Sequence, residues 1–460
     1  MNDLTRGSIA GHVARYAAFI FVTMLFQTLY FLVDLYFVGQ RGTASVAAVA
    51  IAGNLMFVVL ALTQALGVGT TTLVSQAVGA GDVPAAEHAV NQSQSLALLA
   101  GLVFAAVTFA TRRAVARAFA ADEATAALAV AYLDWFIPAM AVQFALVSMA
   151  SALRGAGDVR AASAVQVATV LLNVALAPVL IAGWGTGHPM GVAGAGLATF
   201  LAVGAGALLL LRLFTRPGAR LRLRLRPGAP DGALWRRLVA IGAPAGGEFL
   251  ALAVLLGAIQ VILAREGASA QAGFGVGVRV MQAVLLPAMA VSFALAPVAG
   301  QNVGARLAGR IRETFRVGVA GACGVMAVVT AIVQVAPERM VGAFSADPAA
   351  VGVGAEYLRV VSWNFVANGV IFACGGMFQA FGNTLPSLFA SALRVLLFLA
   401  VALALTRSPG FALRQLWILS VASVAFQMVL VVALLRRETA RRLSAMEARA
   451  AEGGATDTAA

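Results

Sequence analysis

The chain contains no lysine: all 32 basic residues are arginine, set against 19 acidic ones. Charged residues make up only 11% of 460 positions. There are two cysteines, Cys323 and Cys374, far apart and each inside an apolar stretch. They form neither a metal-ligand spacing nor a disulfide framework, and read as small buried hydrophobes. The three histidines, His12, His88 and His188, stand near loops without metal-ligand spacing. No GxxxxGK[ST] loop is present, so ATP is not the direct drive of any activity. No nucleophile–base motif appears, which argues against an enzyme. The formal charge of +13 does not imply nucleic acid, because the arginines lie between apolar stretches instead of on one face of a compact domain. The all-Arg, Ala-rich usage fits a GC-rich coding bias.

What the chain does have is apolar surface. Its apolar fraction is 61% and its mean hydropathy is +0.91. A soluble domain is roughly 45–50% apolar and about 25% charged. Lipid is the solvent that accepts the excess. A helix needs about 20 mainly apolar residues to cross a bilayer. Twelve stretches qualify: 13–38, 46–74, 92–111, 127–150, 160–183, 191–214, 237–263, 271–301, 315–336, 352–378, 385–406 and 413–435. The first is too long for a signal-peptide core and lacks a cleavage site, so it reads as a span that also directs insertion. With the N-terminus inside, 21 arginines fall on the inner side and eight on the outer, which predicts two cytoplasmic termini. The predicted protein is therefore an all-α, multi-pass membrane protein.

The sequence repeats. Gln76 and Gln301, Phe119 and Phe344, Tyr132 and Tyr357, and Asp158 and Asn383 are all separated by one and the same offset along the chain. VSQAVGAGD (74–82) pairs with AGQNVGARL (299–307), and FAADEATAALAVAYL (119–133) with FSADPAAVGVGAEYL (344–358). Each half holds six spans, an even number, so matching helices cross in the same direction. Two six-helix bundles related by a pseudo-two-fold axis along the membrane normal are expected. The expected domains are 1–214, a basic linker 215–236, 237–435 and a polar cytoplasmic tail 436–460, frayed from about residue 445. The linker RPGARLRLRLRPGAPDG (216–232) alternates Arg and Leu, either as a positive-inside connection or as a segment lying on anionic lipid.

Ionisable residues inside spans are costly in lipid, so they are candidates for function. Asp34 lies late in the first span, in FLVDLYF. Removal from water disfavours the ionised form of a carboxylate, so such a group exchanges protons readily. It also holds Na⁺ where neutral oxygens converge on it. The structural alternative is an Asp bonded to helix ends or paired with an arginine. Gln27, two turns earlier, extends the polar stripe or bonds a neighbouring helix. Glu248, about a dozen residues into span seven, is a candidate for binding cationic substrate or carrying a second proton, with pairing to Arg279 as the alternative. Asn364, Asn368 and Gln379 form a polar line in span ten, and Gln143 is the repeat counterpart of Asn368. These line a cleft or bond between helices. Met24, Phe144, Met281 and Met289 either suit flat lipophilic ligands or are simply packing and lipid-facing residues. Pro138, Pro178, Pro244, Pro287 and Pro297 fall inside spans, where each removes a backbone hydrogen bond, for gating or for a static bend.

The segments VDLYFVGQRG (33–42), LVSQAVGAGD (73–82), LRGAGD (153–158), GVAGAGLATF (191–200), GQNVGA (300–305) and FQAFGNT (378–384) resemble those of multidrug and toxic compound extrusion (MATE) transporters. The resemblance spans about residues 12–435 and looks closest to the bacterial branch that includes DNA-damage-inducible protein F. It implies two six-helix bundles, an outward-opening V, and efflux of small organic compounds coupled to H⁺ or Na⁺, with no other cofactor and a monomer as the working unit. By the resemblance, Asp34 matches the first-helix Asp that binds the coupling cation. Tyr30, Asn173 and Thr199 match its polar neighbours, and Asp34 with Asn173 would hold Na⁺. One departure is Ala177, where some relatives carry a second Asp. In another branch a seventh-helix Glu stands where Leu252 is here, and a tenth-helix Asp where Asn368 is. Two competing readings are a flippase for a lipid-linked precursor and a non-transporting scaffold. A flippase would hold phosphates with several cavity arginines, and only Arg279, Arg359 and Arg394 fall within spans here.

Overall fold

The structure, a computed structural model, describes residues 3–219, 221–224 and 229–457. Residues 220 and 225–228 of the linker and 458–460 of the tail lie outside the described residues. All regular structure among the described residues is α-helical: α1 (Ile9–Gly39), α2 (Thr43–Gly79), α3 (Val83–Phe119), α4 (Glu123–Gly155), α5 (Val159–Ala182), α6 (Gly191–Thr215), α7 (Gly232–Leu263), α8 (Ala268–Gly304), α9 (Ala308–Val335), α10 (Pro337–Gly342), α11 (Pro348–Val361), α12 (Asn364–Phe381), α13 (Leu385–Leu405) and α14 (Leu413–Asp457). Twelve of these are long and apolar enough to cross a membrane. Large apolar side chains such as Leu102, Val261, Val328 and Val429 are exposed, as a lipid-facing surface requires.

Four acids outside the apolar runs serve as helix caps. Asp82 accepts from the Ala85 N–H, Asp122 from Thr125, Asp158 from Ala161 and Asp347 from Ala349. Each satisfies a backbone donor that a helix start leaves without a partner. The repeat extends to backbone conformation. Gly42 and Gly267, counterparts in the repeat register, open α2 and α8 with φ of 104° and 103°. Gly81 has φ 76°, and its counterpart Arg306 keeps the left-handed turn at φ 57°, the sole described non-glycine there.

The chain forms two compact units. One consists mainly of Phe19–Gly246, and the other of Leu4–Ala18 with Gly247–Ala460. The divisions fall inside α1 and inside α7, the first helices of the two repeats. In the second unit the N-terminal arm is gripped by the GQNVGA segment. Leu4 N–H donates to Gln301 Oε1 at 3.1 Å, and Asn302 Nδ2 donates to the Leu4 carbonyl at 3.3 Å. Arg310 donates to the carbonyls of Leu4 and Gly7. In the first unit the start of α7 packs on α2, where Gly242 and Gly246 face the backbone of Ala65 and Ala61.

Also in the first unit, the described linker residues lie along the start of α3. Glu87 and Asn91 accept from the backbone N–H groups of Arg222 and Arg224. Leu221 is buried and Leu223 half-buried, while Arg222 and Arg224 are exposed. Asp231 closes this strap. It accepts from His88 at 3.0 Å and from the N–H groups of Ala233 and Leu234. The His88 hydrogen bond, followed by these backbone donors, holds the Asp231 carboxyl below the usual carboxylate range. A depressed carboxyl keeps its cap at neutral pH and loses it only as the pH falls through that lowered value. Asp231→Ala is expected to speed amide hydrogen exchange at Ala233 and Leu234 at neutral pH, with the amides of α13 unchanged. Unaltered exchange at both positions would contradict the cap.

Span ten differs from expectation. The stretch 352–378 is not one helix: α11 and α12 break at Ser362–Trp363. Side chains of α9 capture the backbone there. Gln334 Nε2 donates to the Arg359 carbonyl at 2.8 Å, and Thr330 Oγ1 donates to the Ser362 carbonyl at 3.3 Å. Acceptors satisfied from outside no longer enforce the helical ladder. The repeat counterpart, Ile137–Pro138, lies within the unbroken α4. The end of the chain also differs, since α14 continues to Asp457 past the predicted end of span twelve. Glu438 supports this extension through Arg441 and Arg442, one helical turn further on.

Candidate functional site

The polar centre of the first unit is built from α1, α4, α5 and α6. Helix α6 packs against both α4 and α5. The small residues of GVAGAGLATF permit this: a Cβ on Gly194 would meet the Leu180 carbonyl oxygen at 2.4 Å, and one on Gly196 the Tyr132 carbonyl oxygen at 2.7 Å. The same segment carries Thr199, which is buried. Tyr30 Oη and Thr199 Oγ1 are 2.9 Å apart, tying α1 to α6. Thr199 donates its one hydroxyl proton to the Ala195 carbonyl at 3.1 Å. Tyr30 must therefore donate to Thr199, and both oxygens keep lone pairs free.

Asp34 lies one turn beyond Tyr30 and is 6% exposed. Its Oδ1 has no hydrogen-bond partner among the described residues. The structural alternative, an Asp bonded to helix ends or paired with an arginine, is not what the structure has at this oxygen. The carboxylate is near enough to act electrostatically on Tyr30 and on Tyr132 of α4. Asn173 of α5 is 2% exposed, and neither of its amide atoms has a partner among the described residues. Buried polar groups are almost always satisfied, so the orphaned Asp34 and Asn173 atoms are exceptions that need a reason. The free acceptors are all oxygens: a carboxylate oxygen, an amide carbonyl, a phenol and a hydroxyl. Oxygens are the donors that a small hard cation or a proton prefers.

Sequence reasoning missed Tyr132. It appeared only as a repeat marker, although its buried ring stacks on Phe136 at 5.2 Å and lies in the field of Asp34. Loss of the Tyr30 hydrogen bond tests the cluster. Tyr30→Phe removes a bond worth about 1 kcal/mol net, or about a fivefold weaker apparent affinity for the coupling cation. Measuring transport rate against cation concentration checks this; an unchanged half-saturation point contradicts it.

The remaining candidates are distributed over both units. Gln27 is exposed on α1 and Gln143 half-buried on α4, both in the first unit. In the second, Asn364 is buried with its Nδ2 unpartnered, and Asn368 donates to the Asn364 carbonyl of its own helix at 3.0 Å. Glu248 is half-buried and bonds Ser387 of α13. No ion pair to Arg279 is formed among the described residues; Arg279 is exposed. Arg359 pairs instead with Glu338. Phe144 is fully buried against Phe104 and belongs to the core, not to a ligand surface.

Comparison with known proteins follows the same outline. The MatE family model matches residues 20–179 and 244–404, one stretch in each repeat. The probable multidrug resistance protein YpnP of Bacillus subtilis is 25% identical over 386 residues, covering 82% of this chain and 85% of that protein. The probable multidrug resistance protein NorM of Thermotoga maritima is 26% identical over 408 residues, covering 88% and 87%. A solved structure of a multidrug resistance MATE family transporter in an outward-facing conformation matches with a TM-score of 0.89 at 22% identity. It covers 96% of this chain and 98% of that one, a likeness of fold.

Proposed function

We propose that this chain, which belongs to the MatE family of transporters and is not an enzyme, exports organic compounds, often cationic, in exchange for H⁺ or Na⁺ by alternating access. The observation that carries this reading is the buried Asp34 oxygen without a partner, one helical turn from Tyr30, which contacts Thr199. A buried carboxylate that has no protein donor is stabilised by a cation that comes and goes. Asp34 is the main coupling carboxylate. If the ion is Na⁺, Asp34 and Asn173 are its ligands; if it is H⁺, Asp34 carries the proton.

Magnitudes constrain the exchange. A membrane potential of about 100 mV supplies about 2.3 kcal/mol per charge, and one pH unit about 1.4 kcal/mol. One inward proton therefore supports roughly a 500-fold gradient of a neutral substrate. Exchanged for a monovalent cation, the same proton gains nothing from the potential and supports about tenfold from one pH unit. Glu248, Gln27, Gln143, Asn364 and Asn368 are the tentative substrate contacts. The moving bodies in this reading are the bundles 1–214 and 237–435, joined by the linker 215–236, in a monomer with cytoplasmic termini in a bacterial inner membrane. The names of relatives such as YpnP and NorM support multidrug substrates. Expression in a bacterium lacking its main efflux systems should lower ethidium accumulation. Unchanged accumulation with normal amounts of protein in the membrane sinks the reading.

A further inference from the structure

The linker alternates Arg and Leu, and the two sets of side chains face opposite ways. Its described residues Arg222–Arg224 form no helix. Glu87 and Asn91 are one turn apart on α3, about 6 Å along the helix. Two residues of extended chain rise about 6.6 Å. The near match lets the linker lie along α3. Glu87 Oε1 accepts from the Arg222 N–H at 3.0 Å, and Asn91 Oδ1 from the Arg224 N–H at 2.7 Å. Asn91 Nδ2 also donates to the Arg222 carbonyl at 3.1 Å. Gln92 holds the far end, donating to the Ala229 carbonyl and accepting from the Asp231 N–H, both at 3.0 Å. In extended chain, successive side chains point to opposite faces. Leu221 and Leu223 share the inner face and pack in the apolar cluster that includes Val90, Phe214 and Leu238. Arg222 and Arg224 share the other face and are exposed.

This facing excludes one kind of lipid contact and leaves another. The leucines are engaged by the protein, so they do not enter a bilayer as the apolar face of an interfacial helix does. The arginines are not so engaged. Among the described residues no acid pairs with Arg222 or Arg224, with Arg212 or Arg216 at the end of α6, or with Arg236 at the start of α7. All five are exposed. Arg237, also exposed, bonds neutral Gln76 at 3.4 Å. The acids within the strap are already occupied: Glu87 by a backbone N–H, Asp231 by His88 and the start of α7. Helices α6 and α7 are both long and apolar enough to cross a membrane, so the strap between Thr215 and Gly232 lies at a membrane face. Arginines without counter-charges at that level are complementary to a layer of lipid phosphates, which a guanidinium fork matches in shape as well as charge.

We propose that the linker strap and the adjoining ends of α6 and α7 form a binding surface for anionic phospholipid headgroups, with Arg222 and Arg224 as its central contacts. The surface holds headgroups by charge and keeps its leucines in the protein. This is independent of the transport reading, and its test involves no transport. The purified full chain in neutral detergent is titrated with equimolar palmitoyl-oleoyl phosphatidylglycerol and phosphatidylcholine, and bound lipid is counted by native mass spectrometry. Wild type should retain phosphatidylglycerol in preference to phosphatidylcholine. The double variant Arg222→Gln/Arg224→Gln should lose roughly tenfold or more of that preference, because each arginine near an anionic surface contributes about fivefold. Arg222→Lys/Arg224→Lys keeps the charge and should keep most of the preference; loss in both pairs marks a structural role and overturns the proposal. Arg113→Gln is the control. Arg113 is exposed near the other end of α3, about 39 Å along the helix from Glu87, and its loss should leave the preference unchanged. Equal retention of the two lipids by wild type overturns the proposal, as does a preference that survives Arg222→Gln/Arg224→Gln or falls as far in Arg113→Gln. Displacement of phosphatidylglycerol by an equal concentration of glycerol 1-phosphate, which has no acyl chains, also overturns it, since the surface would then take a free phosphate ester instead of a lipid.

Discussion

Asp34→Asn is expected to abolish coupled export, with a loss of roughly 100-fold or more in the rate driven by an ion gradient. The amide has nearly the same shape as the carboxylate, so the buried position of Asp34 is kept. What it loses is the ability to carry a proton or to neutralise a cation. A carboxylate's charge in a low-dielectric site is worth several kcal/mol to a bound ion, and a tenfold change in affinity corresponds to about 1.4 kcal/mol. The variant should still reach the membrane and melt within a few degrees of wild type. It should retain downhill substrate exchange while losing any response to imposed ΔpH or Na⁺ gradients. Unchanged gradient-driven efflux from a well-folded Asp34→Asn protein contradicts the coupling assignment.

Gly242→Ala is expected to give the largest loss of stability from a single methyl group. A Cβ at Gly242 would stand 1.9 Å from the Ala65 carbonyl oxygen and 2.6 Å from its carbon. Backbone cannot rotate away as a side-chain tip can, so α7 and α2 must separate within the first unit. Overpacking of this kind costs about 3 kcal/mol, the upper end of the usual range. The same substitution at Gly257, also on α7, meets no atom within 4 Å. Gly257→Ala should be neutral, or stabilising by about 0.5–1 kcal/mol through helix propensity. Thermal unfolding of both variants in one detergent provides the comparison. Equal melting temperatures would contradict the close approach of α2 and α7.

The twelve spans were legible because long uncharged apolar runs have no other destination than lipid. The repeat was legible because one register holds across loops, and it extends to the matched φ angles of Gly42 and Gly267. The break at Ser362–Trp363 was not legible. No proline or glycine marks it, and its cause is Gln334 and Thr330 on another helix. The division of α1 and α7 between units escaped for the same reason, since it depends on what Leu4 and Gly242 touch. At the site, Asp34 stood out by the rarity of acids in spans. Tyr30, Asn173 and Thr199 followed only from resemblance. Tyr132 and the Glu248–Ser387 contact carry no local signal, because periodicity gives a helix its faces but does not name the neighbour on each face.

The central claim is that an ion gradient drives export through a site in the first unit. Its most direct test is ethidium efflux from proteoliposomes without ATP, under imposed ΔpH alone, an imposed Na⁺ gradient alone, or neither. Efflux against the ethidium gradient under one of the two ion gradients, lost when that gradient is collapsed, is the predicted result. Efflux that is indifferent to both gradients would contradict the claim.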